Sequence, residues 1–438
     1  MPKTEQARPS FGRWYILGVI CLMYLITYLD RVNISTAAPE IRKEFGFDAV
    51  TMGWIFSAFG WSYALFQVPG GWLSDRFGAR SVLTGIVTYW SVMTAATAAS
   101  TGWVSFVIYR FLFGIGEAGA FPGATRAMQL WYTPQERGFV QGITHSASRL
   151  GAAIAPPLVV LIMTTLGWRS VFYICGAVGI VWALWWYVSY RNLPEEHGMV
   201  NRAELAHIRG LNAAGEINQA AIEKEAANVP WGMLLRSPNM WAIMCAYFTY
   251  VYCLYIFLTW LPSYLVRERN YSLDQMAIYG SLPFWGMAAA SLTGGWASDR
   301  WISRGASPTR VRKSFAVTGL VVCALLMLPA ALLPDPWLSL GFLIASCVSL
   351  GIYTSNVWAI TQTLAGEEAA GKWTGIQNFI GNLGGVSPAI AGWIVEQTRS
   401  FFLAFMVAAV ILVLGAACCL FLVPRVEPIS WARRGKSE

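Results

Sequence analysis

The sequence predicts an all-α membrane protein with twelve transmembrane helices in two pseudo-symmetric six-helix halves. Three observations lead there. Of the 438 residues, 56% are hydrophobic and only 12% are charged, against roughly 25% charged in a soluble domain. Apolar runs of about 20 residues, the length that crosses a bilayer as a helix, recur along the whole chain. One seven-residue pattern, G-G-W-L-S-D-R at Gly70–Arg76, returns as G-G-W-A-S-D-R at Gly294–Arg300. Scattered Gly and Pro inside the apolar runs fit helices. Barrel strands would be shorter and would alternate.

In order, the spans read as 14–37, 51–73, 81–100, 103–125, 138–163 and 168–189, then 239–262, 273–297, 314–333, 337–361, 372–396 and 400–423. The polar, basic start runs directly into the first span, so no cleavable signal peptide is expected. The longest polar stretch separates the two sets of six and defines three parts. These are an N-terminal half (1–189), a cytoplasmic linker (190–238) and a C-terminal half (239–438). A short amphipathic helix is expected in the linker around Arg202–Leu211. Most of the 31 Lys and Arg residues fall in alternate loops that share a side with the N-terminus. The intervening loops hold only Arg42, Lys43, Arg169, Arg267, Arg269 and Arg399. The positive-inside rule then places both termini in the cytoplasm.

The same count explains the net charge of +8 by topology, without nucleic acid. The eight cysteines lack metal-ligand spacing and read as small buried hydrophobes. The three histidines form no metal set, no glycine-rich phosphate loop is present, and no soluble stretch is long enough for a catalytic domain. Neither an enzyme nor a cofactor or metal is expected, and a receptor finds no support.

The chemistry is expected where charge enters the apolar spans. Each such charge costs roughly 2.5–3.5 kcal/mol on insertion scales, so intramembrane ions mark function or a structural pair. Arg110 and Glu117 in span four lie about two turns apart on one face. Asp30 lies roughly 24 Å into span one at 1.5 Å per residue, at a depth similar to Arg110. Burial and a neighbouring arginine act on a carboxylate in opposite directions. Asp30 and Glu117 are therefore read as carriers of a proton, with Arg110 alternating between them. Arg31 follows Asp30 and points about 100° around the helix. A guanidinium can clamp a carboxylate through two parallel hydrogen bonds. Arg149 is near the midplane of span five, next to Ser148. It either binds a second negative group, together with Arg31, or neutralises Glu117. His145, one turn away, reads as a hydrogen-bonded helix residue.

The doubled motif has a mechanical reading. Gly71 and Gly295 let helices approach closely. Asp75 with Arg76, and Asp299 with Arg300, stand at helix ends, where carboxylates can meet backbone N–H groups or arginines. They are read as gating elements or as loop caps. A second echo joins spans five and eleven, where Gly142, Leu150 and Gly151 align with Gly375, Leu383 and Gly384 at a constant offset. Halves repeated in this way point to a transporter with its site near the midplane. At the corresponding offset from Arg110 and Glu117 stand Leu343 and Leu350, so ion handling is expected in the first half alone.

Tyr28-Leu29-Asp30-Arg31-Val32-Asn33, the G-G-W-x-S-D-R motif, and Arg110 through Phe121-Pro122 together resemble the major facilitator superfamily. More closely they resemble its anion:cation symporter family, which includes galactonate, glucarate and hexuronate transporters. The resemblance implies a twelve-helix fold with alternating access and an organic anion moved with protons or another cation. It also implies that Asp30, Arg110 and Glu117 couple protons and that Tyr28, Arg31 and Tyr63 touch substrate. On the residues alone, either tyrosine could equally serve packing. Asn378 matches an asparagine of the sugar-acid transporters and joins Asn356 and Trp358 as the polar candidates of the second half. Ser148 lies near a substrate-contacting glutamine of the galactonate type, and Arg149 departs from that type's uncharged pattern.

The function expected is therefore proton-coupled symport of a small organic anion. The candidates are a sugar acid, a dicarboxylate or a sulfonated carboxylate, carried by a monomer in a cell inner membrane. Export, anion exchange or uptake of aromatic carboxylates on the same fold is the alternative.

Overall fold

The computed structural model describes residues 8–209, 229–429 and 431. Both chain ends and the middle of the linker, residues 210–228, lie outside the described residues. The sidedness expected of the termini therefore falls there too. Every regular element among the described residues is helical.

The first six spans appear as α1 (Gly12–Phe45), α2 (Ala49–Phe77), α3 (Ala79–Thr97), α4 (Trp103–Glu117) with α5 (Ala120–Trp131), α6 (Pro134–Leu166) and α7 (Trp168–Ser189). The linker helix is α8 (Arg202–Arg209), where the amphipathic pattern puts it. A one-turn helix, α9 (Trp231–Leu235), leads into α10 (Pro238–Arg267). Then come α11 (Leu273–Tyr279), α12 (Leu282–Ser303), α13 (Pro308–Leu332), α14 (Pro336–Asn382), α15 (Ser387–Thr398) and α16 (Phe402–Ala417). α14 joins spans ten and eleven, and Gly366 breaks it with a φ of 64° that favours glycine.

Among the described residues, nine helices are long and apolar enough to cross a membrane by themselves. The other three expected spans are shorter or interrupted. Span three is the 19-residue α3. Span eight is divided between α11 and α12, and a 3₁₀ turn at Leu383–Val386 splits span eleven.

The contacts divide the chain into two compact units. One is Met1–Phe45 with Trp61–Ala221; the other is Gly46–Gly60 with Ile222–Glu438. One division falls at Ala221/Ile222, within the linker, and in addition residues 46–60, with the first turns of α2, group with the second unit.

In the first unit α1 packs on α6, and α3 packs on α4 and α7. Gly151 of α6 lies so close to α1 that an added Cβ would stand 2.4 Å from the Leu25 carbonyl oxygen. The indole of Trp182 donates to the Val19 carbonyl at 2.9 Å and ties α7 to α1. The linker docks here as well. Glu204 of α8 is fully buried and accepts from the backbone N–H groups of Gly12 at 3.1 Å and Arg13 at 3.0 Å, so it caps α1.

In the second unit α13 and α12 pack on α14, and α10 packs on α14 and α16. Gly384 repeats the role of Gly151, since a Cβ there would stand 2.7 Å from the Tyr252 nitrogen. The echo between spans five and eleven thus preserves a close helix approach. The first turns of α2 join this unit along a glycine seam. A Cβ on Gly60 would be 2.7 Å from the Gly385 Cα, and one on Gly392 would be 2.4 Å from the Ala49 oxygen. Ser57 accepts from the Ala389 N–H at 2.9 Å beside that seam.

Candidate functional site

α1 carries Tyr28, Asp30 and Arg31, all buried. The 100° step between residues turns adjacent side chains to different neighbours. Asp30 has the charges of Arg110 and Glu117 and the indole of Trp90 as electrostatic neighbours. Asn33, one turn on, donates to its Oδ1 at 3.5 Å. Arg110 also lies over the ring of Phe113, with 4.6 Å from the guanidinium carbon to the centroid.

Arg31 ion-pairs through Nε with Oε1 of Glu117. Its guanidinium carbon is 4.7 Å from the Tyr28 ring centroid and 4.5 Å from that of Tyr63. Phe121 adds a third face at 5.9 Å. Arg31 is thus held by one carboxylate and aromatic faces, which suits a guanidinium's delocalised charge. Glu117 is the last residue of α4, at the break before α5. The break is tight: a Cβ on Gly70 of the first motif would stand 2.6 Å from the Gly119 Cα.

Arg149 is buried, and its guanidinium carbon lies 5.9 Å from the Tyr28 ring. Tyr28 therefore has a guanidinium from α1 and another from α6 against it. Ser148 is buried beside Arg149, but its hydroxyl donates within its own helix to the His145 carbonyl at 2.6 Å. His145 shares a 3.2 Å hydrogen bond with Gln141 and lies against the rings of Phe121 and Tyr24.

The geometry adds one pairing. The structure joins Glu117 to Arg31 in an ion pair, while Arg110 has both Asp30 and Glu117 as electrostatic neighbours. Trp90 and Phe121 complete the cluster. The span-four motif includes Phe121 without giving it a contact, and Trp90 stands in no motif, because an apolar helix contains many such aromatics and only rotation decides which ones face the charges.

In the second unit, Trp358 and Asn378 meet through Tyr247. Its ring is 5.2 Å from that of Trp358, and its hydroxyl donates to Asn378 Oδ1 at 3.4 Å. Asn356 is elsewhere. Its Oδ1 accepts from Arg312 at 3.3 Å, and its Nδ2 donates to the Ile352 carbonyl at 3.0 Å. Two residues along a helix differ by about 200°, so Asn356 and Trp358 cannot share a face.

The acids of the doubled motif use partners from outside it. Asp75 is 3.6 Å from Arg126 of α5, and Asp299 ion-pairs with Arg312 of α13. Arg312 also donates to Ser298 Oγ at 2.8 Å. Among the described residues Arg76 and Arg300 join neither pair. Arg76 lies 5.3 Å from the Trp72 ring and Arg300 lies 5.9 Å from the Trp296 ring. Gly71 and Gly295 make ordinary contacts, since a Cβ there would stand 3.5 Å from Pro122 and 3.4 Å from Ser355. The tighter approach in the first motif belongs to Gly70.

A sequence model of the Major Facilitator Superfamily matches residues 20–387. The chain belongs to the major facilitator superfamily. Its relatives place it with the superfamily's organic anion transporters, as the motifs in spans one, two and four imply. A probable sulfoacetate transporter of Cupriavidus necator is 38% identical over 412 residues, covering 94% of each chain. A D-galactonate transporter of Escherichia coli is 30% identical, covering 97% of this chain and 99% of the relative. A hexuronate transporter of Bacillus subtilis is 33% identical, covering 90% and 91%. The major facilitator fold is matched in solved structures as well. A bacterial homolog of the human lysosomal transporter Spinster, in an inward-facing and occupied conformation, aligns with a TM-score of 0.71 at 19% identity. It covers 94% of this chain and 97% of its own. The chain is thus a multi-pass membrane protein whose relatives are transporters, not enzymes.

Proposed function

We propose that this chain imports a small organic anion together with protons, by alternating access, as a monomer in a bacterial inner membrane with both termini cytoplasmic. The observation that carries the proposal is the buried cluster of Asp30, Arg110, Arg31 and Glu117, with Arg149 on the far contact of Tyr28.

The cluster supports a coupling scheme. Arg31 is the cation an incoming carboxylate or sulfonate would seek, and Glu117 occupies it. A substrate anion that takes Arg31 displaces Glu117. A carboxylate stripped of its partner in apolar surroundings is neutralised most cheaply by a proton. Anion entry and proton uptake then become one event. Asp30 beside Arg110 supplies a second exchangeable site. In the first half, Tyr28, Tyr63 and Ser148 would contact the anion; in the second half, Trp358, Asn378 and Tyr247 are the substrate-contact candidates. Asp75–Arg126 and Asp299–Arg312 would latch the cytoplasmic helix ends.

Arg31 and Arg149 favour a substrate with two negative groups. A sulfonated carboxylate fits this, and one relative is named for sulfoacetate. Proteoliposome uptake tests the reading. With an imposed inward proton gradient, sulfoacetate or a short dicarboxylate should accumulate, and collapsing the gradient should stop it. Exchange that ignores the gradient would contradict import by symport.

A further inference from the structure

The second unit carries a groove of about 590 Å³ between the start of α13 and the segment after α16. In the orientation proposed above, it opens at the cytoplasmic membrane surface. Its lining includes three cations, Arg310, Lys313 and Arg425, the hydroxyls of Ser314 and Thr318, and one carboxylate, Glu427. Lys313 is fixed in the wall, where Nζ donates to the carbonyls of Leu420 at 2.8 Å and Val423 at 2.5 Å. Arg310 and Arg425 are exposed, with no hydrogen-bond or ion-pair partner among the described residues. The groove therefore has an excess of positive charge and two unengaged guanidiniums, whose forked donors match phosphate oxygens.

An apolar track leads away from this polar end. On α13, Ser314, Thr318, Val322 and Leu325 recur at helical spacing and form one stripe. The last two are exposed apolar residues, 39% and 60% accessible. On the neighbouring α16, Val410 and Val413 are exposed, as is Leu420 beyond its end. A free phosphate would use only the cationic end. A phospholipid uses both, with its headgroup among the arginines and its acyl chains along the track.

We propose that this groove binds the phosphate of an anionic phospholipid in the cytoplasmic leaflet. Only the choice of leaflet rests on the proposed orientation. The test is a binding titration that needs no transport, so a failed transport assignment would leave its result readable. Fluorescent phosphatidylglycerol is titrated into the detergent-purified full chain and compared with phosphatidylcholine of the same acyl chains. Sodium phosphate serves as competitor.

Phosphatidylglycerol should bind at least about tenfold tighter than phosphatidylcholine. Arg310→Gln and Arg425→Gln should each weaken phosphatidylglycerol binding about fivefold, the effect of one basic residue near an anionic surface. Both arginines are exposed and unpaired among the described residues, so the fold does not depend on them. Arg304→Gln, an exposed arginine outside the groove, should change binding less than about twofold. Equal binding of the two lipids, or an Arg304→Gln loss as large as the groove variants', would overturn the proposal. Displacement by equimolar sodium phosphate would assign the groove to a free anion and overturn it too.

Discussion

At the residue scale, the site's logic lies in which carboxylate holds which guanidinium. Glu117 holds Arg31, while Arg110 has both Asp30 and Glu117 as electrostatic neighbours. The types and depths of these residues are legible in the sequence, because a charge in an apolar run stands out. The pairing is not, because it depends on helix rotation and on the break between α4 and α5. Arg149 carries the sharpest prediction at this scale. A charge-assisted hydrogen bond contributes about 1.5–3 kcal/mol. Arg149→Gln should therefore raise the KM for a dianionic substrate about tenfold to a hundredfold, and leave a monoanion within about threefold. Competition uptake with a dianion and a monoanion of similar size reads the difference. Equal shifts for both would mean that Arg149 acts only by packing or by balancing a buried acid.

At the scale of elements, the linker helix is an integral part of the first unit. Glu204 on α8 caps α1, and Arg13 stands 3.7 Å from it and 3.5 Å from Glu136. His207 of the same short helix meets Glu136 at 3.0 Å. Removing a buried, multiply bonded carboxylate leaves the α1 N–H groups without their acceptor and Arg13 with Glu136 alone. Glu204→Ala should therefore lower stability by about 3 kcal/mol in denaturant unfolding. A loss under about 0.5 kcal/mol would show that α8 only rests on the bundle.

Glu136 adds a pH dependence. Partial burial pushes its carboxyl up, but the His207 hydrogen bond and the Arg13 charge outweigh this and hold it below the ordinary carboxylate range. A depressed folded value means that its stabilisation is full above the ordinary range and is lost as pH falls through the lowered one. Amide opening in α8, after correction for the intrinsic pH dependence of exchange, should accordingly increase on acidification, and Glu136→Gln should flatten that increase. An opening that ignores pH in both proteins would contradict this reading.

The helix itself was visible as an amphipathic stretch in the linker. Its docking was not, because Glu204 reads as a surface residue until its partners Gly12 and Arg13, some 190 positions away, are brought to it. Asn356 carries a similar lesson: its composition suits a polar pocket, but its helix face gives it to Arg312.

At the scale of the whole molecule, the repeat was the most legible feature. It survives in sequence where it fixes helix contact, as at Gly151 and Gly384. It fails at Arg110 and Glu117, whose counterparts are Leu343 and Leu350. The division inside α2 was not legible. It comes from the seam of Gly60, Gly385 and Gly392, which shows no charge or polarity pattern to a sequence reader.

The central claim is that anion binding at Arg31 frees Glu117 to take a proton. The most direct test measures proton entry and anion entry together, in proteoliposomes loaded with a pH-sensitive dye and given labelled sulfoacetate or another accepted dianion. The wild type should acidify the lumen in fixed proportion to anion uptake. Glu117→Gln should still bind and exchange the anion while proton movement and concentrative uptake disappear. A Glu117→Gln protein that kept the wild-type proton-to-anion ratio would contradict the account.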